Sequence, residues 1–170
     1  AGPLKRTDCS PVTDGAAALV LTDVETALQS DKPVVFRAAE QVNEFLPMSK
    51  RDVTRFEGVE LAWNRAFAKA GLGLDDLDFM EVHDCFTIAE LMIYEAIGLT
   101  PHGEGARAID EGWTEKDGRL PINPSGGLKS KGHPIGATGV SMHVMAAMQL
   151  TGSAGAIQVP GARIAGVFNM

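Results

Sequence analysis

Two short segments of this sequence carry side chains that could act on a substrate. His83 and Cys85 lie in the run Phe79–Phe86, and His133 lies in the glycine-rich run 123–139. An imidazole can take up or release a proton near neutral pH, and a nearby thiol can share that work. The two segments therefore indicate acid–base chemistry, provided that the fold brings them together.

The run 123–139 is predicted to present His133 where a loop enters a helix. Five glycines and two prolines punctuate it, and the apolar stretch Val140–Leu150 that follows predicts a helix. The small residues Gly136 and Gly139 would let a ligand approach the first helical turn, where unpaired N–H groups attract negative charge. A lone loop histidine that only caps or packs is the alternative.

A phosphate-binding P-loop is the other motif that this run resembles. Gly127 and Gly132 have the spacing that begins such a loop. The residues that follow are His133 and Pro134, where a P-loop needs a lysine and a hydroxyl group. The sequence therefore disfavours nucleotide hydrolysis.

The segment around His83 is predicted to join a strand to a helix. Phe79–His83 has the pattern of a short strand, and Thr87–Leu99 that of a helix whose first residue forms a capping box with Glu90. His83 and Cys85 would then lie at the carboxyl end of a strand, where open α/β sheets bind ligands. Alternation would aim both side chains at one face. Taken alone, His83 could equally be a packed histidine without a catalytic role, and Cys85 could equally be a buried thiol.

The rest of the chain alternates between strand and helix patterns. We predict strands at Ala16–Thr22 and Val34–Val42, a short helix at Val24–Leu28, and a helix at Arg51–Ala70 that Gly71 stops. The inward stripe of that helix is predicted to be core and consists of Phe56, Val59, Trp63, Phe67 and Ala70. The order predicts an α/β fold with a mainly parallel sheet covered by helices on both faces.

The long connection Pro101–Pro121 and the remaining histidines are predicted to lie outside the site. The connection is polar and irregular in pattern, as expected of a solvated insertion or a lid. His143 falls within the helix after His133 and is predicted to pack or to face solvent. No two histidines or cysteines have a convincing ligand spacing on one element, so we predict no metal site.

Composition and charge indicate which kinds of partner and which cellular compartment fit this chain. The chain has 170 residues, 45% of them hydrophobic, a net charge of −7 and a pI near 5.0. The charge disfavours a nucleic-acid partner. Two cysteines without a C-x-x-C spacing fit reduced thiols, and no run reads as a signal peptide or a membrane span. We predict a cytoplasmic protein without a membrane partner; a peroxisome or mitochondrion remains open for a eukaryotic source.

Taken together, the motifs resemble the thiolase superfamily. Gly132-His133-Pro134 is similar to its Gly-His-Pro block. His83-Asp84-Cys85-Phe86 is similar to the block that the sterol-carrier-protein type has in place of Asn-Glu-Ala-Phe. Asp14–Leu21 resembles the segment that closes the first half-domain. The resemblance runs from about Asp8 to the last residue and implies a layered, thiolase-like α/β fold.

The resemblance also implies roles for these residues in acyl transfer from coenzyme A thioesters. His133 would activate a nucleophilic cysteine, His83 would hold the thioester oxygen through a water, and Cys85 would shuttle the α-proton. Pro160–Gly166, which matches the region of an ordinary thiolase's second acid/base cysteine, contains none, which favours Cys85. The positions that would line the substrate or coenzyme A are Gly126, Gly127, Gly132, Pro134 and Gly136. Coenzyme A would be substrate or product, with no covalently bound cofactor.

The resemblance further implies that this chain is the C-terminal portion of a thiolase of the lipid-transfer type. Residues 1–30 would end the N-terminal half, and residues 31–170 would form a C-terminal domain without its last strand, with the boundary near Gln29–Pro33. The nucleophilic cysteine would lie upstream, so we expect the chain alone to be inactive. It would need the first half or a second subunit, and the complete protein would be a homo-oligomer. A thiolase-like aldolase for steroid side-chain acyl-CoA esters and a non-catalytic partner subunit are the alternatives.

Overall fold

A computed structural model of the chain describes residues 2–170. The buried apolar side chains all lie between Val59 and Ala162. The helices are α1 Val24–Ala27, α2 Glu57–Ala70, α3 Thr87–Ala96, α4 Gly105–Asp110, α5 Gly127–Lys131 and α6 Thr138–Leu150. The strands are β1 Phe79–Glu81 and β2 Ala165–Val167. Single 3-10 turns occur at Arg6–Asp8, Met48–Lys50, Leu74–Asp76 and Gly155–Ile157.

Strands β1 and β2 form a parallel pair at the centre of the buried region. Phe79 lies opposite Ala165, and Glu81 lies opposite Val167. A further parallel bridge joins Met80 to Ile122. The parallel direction agrees with the predicted α/β class, and in residues 2–170 the hydrogen-bonded sheet has two strands.

Two clusters of buried side chains cover the β1–β2 pair. One cluster contains Trp63, Met80 and Ile93 and joins α2 and α3 to β1. The other contains Phe79 and Ala146 and joins α6 to β1. Phe79 and Met80 point to opposite faces of the strand, as alternation requires, so helices pack against both faces. Strand β1 then ends at Glu81, two residues before His83.

The predictions of strands at Ala16–Thr22 and Val34–Val42 were wrong. Neither segment has a ladder partner in residues 2–170. Both have the apolar composition of strands, but a strand needs a neighbour to satisfy its backbone groups. Most of their apolar side chains are exposed, with Val20 at 95% and Phe36 at 58%. Helix α1 lies between them, within the predicted Val24–Leu28.

The predicted core stripe is confirmed for Phe56, Val59, Trp63 and Phe67 but not for Ala70, and helix α2 begins later than the predicted Arg51. The Asp52 carboxylate accepts hydrogen bonds from the Thr54 N–H at 2.9 Å and from its hydroxyl at 2.6 Å. Such a local turn competes with helical hydrogen bonding, which explains the start at Glu57. Val59 and Trp63 are buried, and Gly71 ends the helix with a φ of 67°.

Helix α3 begins where predicted but without the capping box of Thr87 and Glu90. Phe86 occupies the N-cap position, and Thr87 is already helical. The Glu90 carboxylate instead accepts hydrogen bonds from the Tyr94 hydroxyl at 2.8 Å and from Asn123 Nδ2 at 3.3 Å. A carboxylate turned inward in this way cannot reach back to the cap. The helix ends at Ala96, three residues before the predicted end.

The connection 101–121 is only in part the predicted solvated insertion, because two of its residues are packed into the core; its role as a lid stays a prediction. It contains α4, and Ala108 and Leu120 belong to the core. The guanidinium groups of Arg107 and Arg119 lie 5.2 and 5.4 Å from the centroid of the Trp113 ring, which packs against the same core cluster. These contacts hold the connection against the core.

Helix α6 begins at Thr138, two residues before the predicted Val140. The Thr138 hydroxyl donates to the Pro134 carbonyl at 3.1 Å, so the first turn grows out of the glycine-rich run. Among the helices of residues 2–170, none combines the length and the apolar character that crossing a membrane requires.

Candidate active site

His83 lies just beyond the end of β1, where the chain leaves the core. The Val82 N–H donates to Asn123 Oδ1 at 2.8 Å, which fixes the direction in which the chain leaves the strand. His83 itself is 6% exposed. The strand therefore places this imidazole at a defined point at its carboxyl end, as the sequence predicted.

His133 lies in the connection between α5 and α6. Helix α5 ends at Lys131, and Gly132 then has a φ of 95°, which an L-residue with a side chain rarely adopts. His133 forms a parallel bridge with Val12, and its carbonyl accepts the Thr13 N–H at 3.3 Å. The side chain is 8% exposed. The N-terminal segment thus holds the loop that carries the second imidazole.

The structure brings the two imidazoles together. The ring centroids of His83 and His133 are 5.0 Å apart, and the ring planes meet at 80°. The residues come from separate segments of the chain, one after a strand and one after a short helix. Two imidazoles at this distance can act on one substrate group from two directions.

Asn169 orients the His83 ring. Its Oδ1 atom lies 2.9 Å from His83 Nδ1. A carbonyl oxygen only accepts, so Nδ1 carries the proton, and Nε2 of the neutral ring is left as an acceptor. Burial, together with the neighbouring His133, lowers the pKa of His83 below its usual 6.5, although the bond to Asn169 acts in the other direction. His83 is therefore neutral at pH 7.

Ser10 joins the two candidate segments. Its hydroxyl lies 3.1 Å from His133 Nδ1, and its backbone N–H donates to the Cys85 carbonyl at 2.8 Å. If Nδ1 donates to the hydroxyl, His133 Nε2 is free to act as a base. The N-terminal segment thus contacts both the loop of His133 and the turn of Cys85.

Cys85 follows His83 by two residues and is half-buried. Burial raises the pKa of its thiol above the usual 9.0, so the thiol is protonated at neutral pH. Within residues 2–170, no hydrogen bond joins this thiol to either imidazole. A bound substrate would have to connect Cys85 with the histidine pair.

Asp84, between the two candidates, fixes the start of α5. Its Oδ1 atom accepts the Leu128 N–H at 2.8 Å. Gly127 has a φ of 60°, and a Cβ atom there would collide with the Asp84 carboxylate. The Asp84 side chain therefore packs directly onto the backbone of the glycine-rich run.

The five positions predicted to line coenzyme A differ in what surrounds them. A Cβ on Gly126 would lie 2.8 Å from Ser130, and one on Gly132 would lie 2.7 Å from Thr13. Pro134 packs against Gly15, where a Cβ would lie 2.8 Å from the proline ring. These positions, like Gly127, contact the protein itself. A Cβ on Gly136 would have no such neighbour within 4 Å, so this position faces open space.

We expect Gly127→Ala and Gly136→Ala to separate folding from binding. Gly127→Ala should lower the free energy of unfolding by about 1–3 kcal/mol, because it combines a positive φ with a collision at Asp84. Gly136→Ala should leave stability unchanged and weaken coenzyme A binding if the ligand lies there. Urea unfolding and calorimetric titration measure the two effects; a Gly127→Ala protein as stable as the wild type would contradict the structure.

Several contributing residues could not be found from sequence patterns. Ser10 and Asn169 lie far along the chain from the imidazoles that they contact, in segments without a turn or helix signal. The two other histidines lie elsewhere: His102 pairs with Glu95, and His143 contacts the Gly139 carbonyl on its own helix. Residues 2–170 contain no cluster of three or more potential metal ligands.

Comparison with known sequences decides the family. The sequence profile described as "Thiolase C-terminal domain-like" matches residues 39–170. The chain belongs to this thiolase family. The predicted resemblance is therefore confirmed, and with it the thiolase-like α/β fold.

Two curated relatives illustrate what this thiolase domain is similar to. An acetyl-CoA acetyltransferase of Methanothermobacter thermautotrophicus is 43% identical over 172 residues, covering 100% of this chain and 45% of that protein. Sterol carrier protein 2 of Oryctolagus cuniculus is 43% identical over 171 residues, covering 95% of this chain and 31% of that protein. The thiolase domain thus spans less than half the length of each.

A solved structure shares the fold. The structure titled "Ltp2-ChsH2(DUF35) aldolase" superposes with a TM-score of 0.79 and 22% sequence identity, covering 95% of this chain and 43% of that chain. At this identity the likeness concerns the arrangement of helices and strands. It supports the thiolase-like fold.

Proposed function

We propose that this domain supplies His83, His133 and Cys85 to a thiolase-type acyltransferase that acts on acyl-CoA thioesters. The observation that carries the proposal is the 5.0 Å separation of the two imidazole centroids, with Asn169 and Ser10 bonded to their Nδ1 atoms. The acetyl-CoA acetyltransferase relative supports the substrate class. The reaction is thiolysis of a 3-oxoacyl-CoA or the reverse Claisen condensation.

His133 acts as the general base in this proposal. The proposal places the ring proton on Nδ1, which lies 3.1 Å from the Ser10 hydroxyl and would donate to it, so that Nε2 accepts the proton of a cysteine thiol. The thiolate is the nucleophile, and a neighbouring imidazole lowers the cost of forming it. Neither cysteine of this chain fits that part: Cys9 is exposed, and the pKa of the Cys85 thiol is raised. The nucleophile therefore comes from outside these residues, from the first thiolase half.

His83 holds the thioester oxygen through a water molecule. With the proton on Nδ1, its Nε2 accepts a hydrogen bond from the water, and the second water hydrogen points at the oxygen. The lowered pKa of His83 keeps the ring neutral, so it remains an acceptor at pH 7. Negative charge that develops on the oxygen strengthens this contact, which favours the enolate-like intermediate.

Cys85 exchanges the α-proton. A thiol whose pKa is raised by burial retains its proton at neutral pH and can give it to a carbanion at the substrate α-carbon. In the condensation direction Cys85 first gives its proton to the coenzyme A thiolate that leaves in acylation, and the Cys85 thiolate then takes the α-proton of the second acyl-CoA. Cys85 follows His83 by two residues, so in this proposal its thiol lies close to the water that joins His83 to the thioester oxygen.

A first thiolase half also accounts for the exposed apolar segments of the chain. Segments 18–21 and 33–46 face an open concave surface that α2 and α6 also line. Exposed side chains of this kind are typical of a surface that another protein segment covers. We propose that the first half covers it, in the same chain or in a partner subunit, and that complete molecules associate further into a homo-oligomer.

The test of this proposal is acyl-enzyme formation in the natural protein that contains this domain. We expect incubation with acetyl-CoA to release free coenzyme A and to leave an acetyl group on a cysteine, as intact-mass and peptide mass spectrometry would show. The 170 residues alone should show neither. Turnover by these residues alone would contradict the assignment of the nucleophile to another segment.

A thiolase-like aldolase for steroid side-chain acyl-CoA esters is the second candidate. The fold likeness to the Ltp2-ChsH2(DUF35) aldolase structure favours it. Retro-aldol cleavage releases a carbonyl compound and leaves the thioester intact, so it consumes no free coenzyme A. Cleavage of a 3-hydroxyacyl-CoA without an acyl-enzyme would select the aldolase.

A further inference from the structure

An ion pair between a buried carboxylate and a partly buried lysine precedes the two histidines by the same interval. Glu81 comes two residues before His83, and Lys131 comes two residues before His133. Glu81 Oε2 and Lys131 Nζ are 3.3 Å apart, with the two side chains 1% and 19% exposed. One charge pair thus links the strand end that carries one imidazole to the loop that carries the other.

The Glu81 carboxylate holds both ends of α5. Ser125, just before the helix, donates its hydroxyl to Oε2 at 2.6 Å and its N–H to Oε1 at 3.2 Å. Lys131, the last residue of the helix, donates to Oε2. On the strand side, the Glu81 carbonyl accepts the Phe168 N–H at 2.9 Å, one residue before Asn169. The carboxylate is therefore fully engaged and cannot shift without moving α5.

Stability alone is a poor explanation for this pair. Desolvating two charges costs about as much as their attraction returns, and an apolar pair of similar volume is often as stable or more so. A buried ion pair does fix distance and direction, because either charge left alone in the interior is strongly unfavourable. The pair therefore has the properties of a spacer.

A short backbone segment connects each charged residue to one imidazole, so a movement of the charged residue also moves the ring. Glu81 and His83 are alternate residues of an extended segment and share a face. Lys131 and His133 are separated by Gly132, whose φ of 95° defines one backbone geometry. A shift of Lys131 relative to Glu81 would thus change the 5.0 Å separation of the rings.

We propose that Glu81 and Lys131 are positioning residues that set the separation and the angle of the His83 and His133 rings. Neither side chain touches the substrate. The inference deepens the proposed acyl transfer and rests on it for its effect on rate. The geometric effect itself can be measured without substrate.

The informative variants are Lys131→Met, Glu81→Gln and the double variant Glu81→Gln/Lys131→Met, made in the natural protein that contains this domain. Each single variant leaves one charge of the pair without its partner and should lower the melting temperature, Lys131→Met more so because Glu81 is 1% exposed. The double variant removes one positive and one negative charge and should recover most of that loss. Because its net charge matches the wild type, any remaining change in the rings reports geometry. Arg119→Met, which breaks the exposed contact with Asp75 at 2.9 Å, is the matched control.

Two readouts decide the proposal. In nitrogen NMR spectra of the imidazoles, the double variant should shift the resonances of His83 and His133 and leave those of His102 and His143 in place. Its kcat for acyl transfer should fall by about tenfold or more, since a displacement near 1 Å can cost about a hundredfold. The KM should stay unchanged. Arg119→Met should alter neither readout.

A folded double variant with unchanged His83 and His133 resonances would overturn the proposal. Failure of both single variants to fold does not prevent this test, because the double variant carries it. The NMR readout also separates this inference from the proposed function. If the resonances shift in the double variant but the natural protein has no acyl-transfer activity, the positioning role of Glu81 and Lys131 is supported and the proposed thiolase chemistry is contradicted.

Discussion

His133→Ala should abolish most acyl-enzyme formation in the natural protein that contains this domain. The variant removes the base that takes the proton of the nucleophilic cysteine, and general-base help of this kind is typically worth about a hundredfold or more. In the wild type the contact between Ser10 and His133 Nδ1 orients the imidazole. A water molecule that filled the space left by the ring in His133→Ala would not be oriented in this way and would be a poor replacement for the base. Rapid-quench measurement of the acylation burst with acetyl-CoA gives the effect directly.

His102→Ala is the matched control for His133→Ala. His102 is exposed and pairs with Glu95, outside the candidate site. Its replacement should leave the burst rate at the wild-type value. An unchanged burst in His133→Ala would remove this histidine from the mechanism.

Cys85→Ala should separate proton transfer at carbon from acylation. If Cys85 acts only as the acid/base, the variant still accepts an acetyl group from acetyl-CoA, because the nucleophile and His133 remain. It should lose the exchange of the α-hydrogens of acetyl-CoA with deuterated water by about a hundredfold or more. Mass spectrometry of recovered acetyl-CoA measures the exchange.

Cys9→Ala provides the comparison for Cys85→Ala. Cys9 is exposed, and its backbone is bridged to Phe86, so the change removes a thiol next to the same turn. Exchange should continue in this variant. Normal exchange in Cys85→Ala would assign the acid/base role to another group.

The sequence predicted the local surroundings of the histidines better than it predicted the edges of the fold. The strand before His83 and the helix after His133 depend on short-range patterns, and both formed within a few residues of the predicted bounds. The segments Ala16–Thr22 and Val34–Val42 have strand composition as well. Strand formation depends on a neighbour, which local pattern does not reveal, and in residues 2–170 they have none.

The contacts that orient the candidate site were beyond sequence reasoning for a different reason. Asn169 and Ser10 act through single hydrogen bonds between distant segments, and no periodicity marks them. Glu90 illustrates the converse, since its spacing from Thr87 predicted a cap but its side chain bonds to Tyr94 instead. The tertiary hydrogen bonds of Glu90 were therefore favoured over a helix N-cap, which contributes about 1 kcal/mol to stability.

The most direct test of the proposed site is a crystal structure of the natural protein with Cys85→Ala in excess acetyl-CoA, so that the nucleophile is already acetylated and a second acetyl-CoA is bound intact. The proposal predicts that the thioester oxygen lies within about 3 Å of a water bonded to His83 Nε2. It also predicts His133 Nε2 next to the nucleophilic cysteine and coenzyme A passing Gly136. A fully occupied thioester bound away from the two imidazoles would contradict the proposal that this histidine pair is the reactive centre.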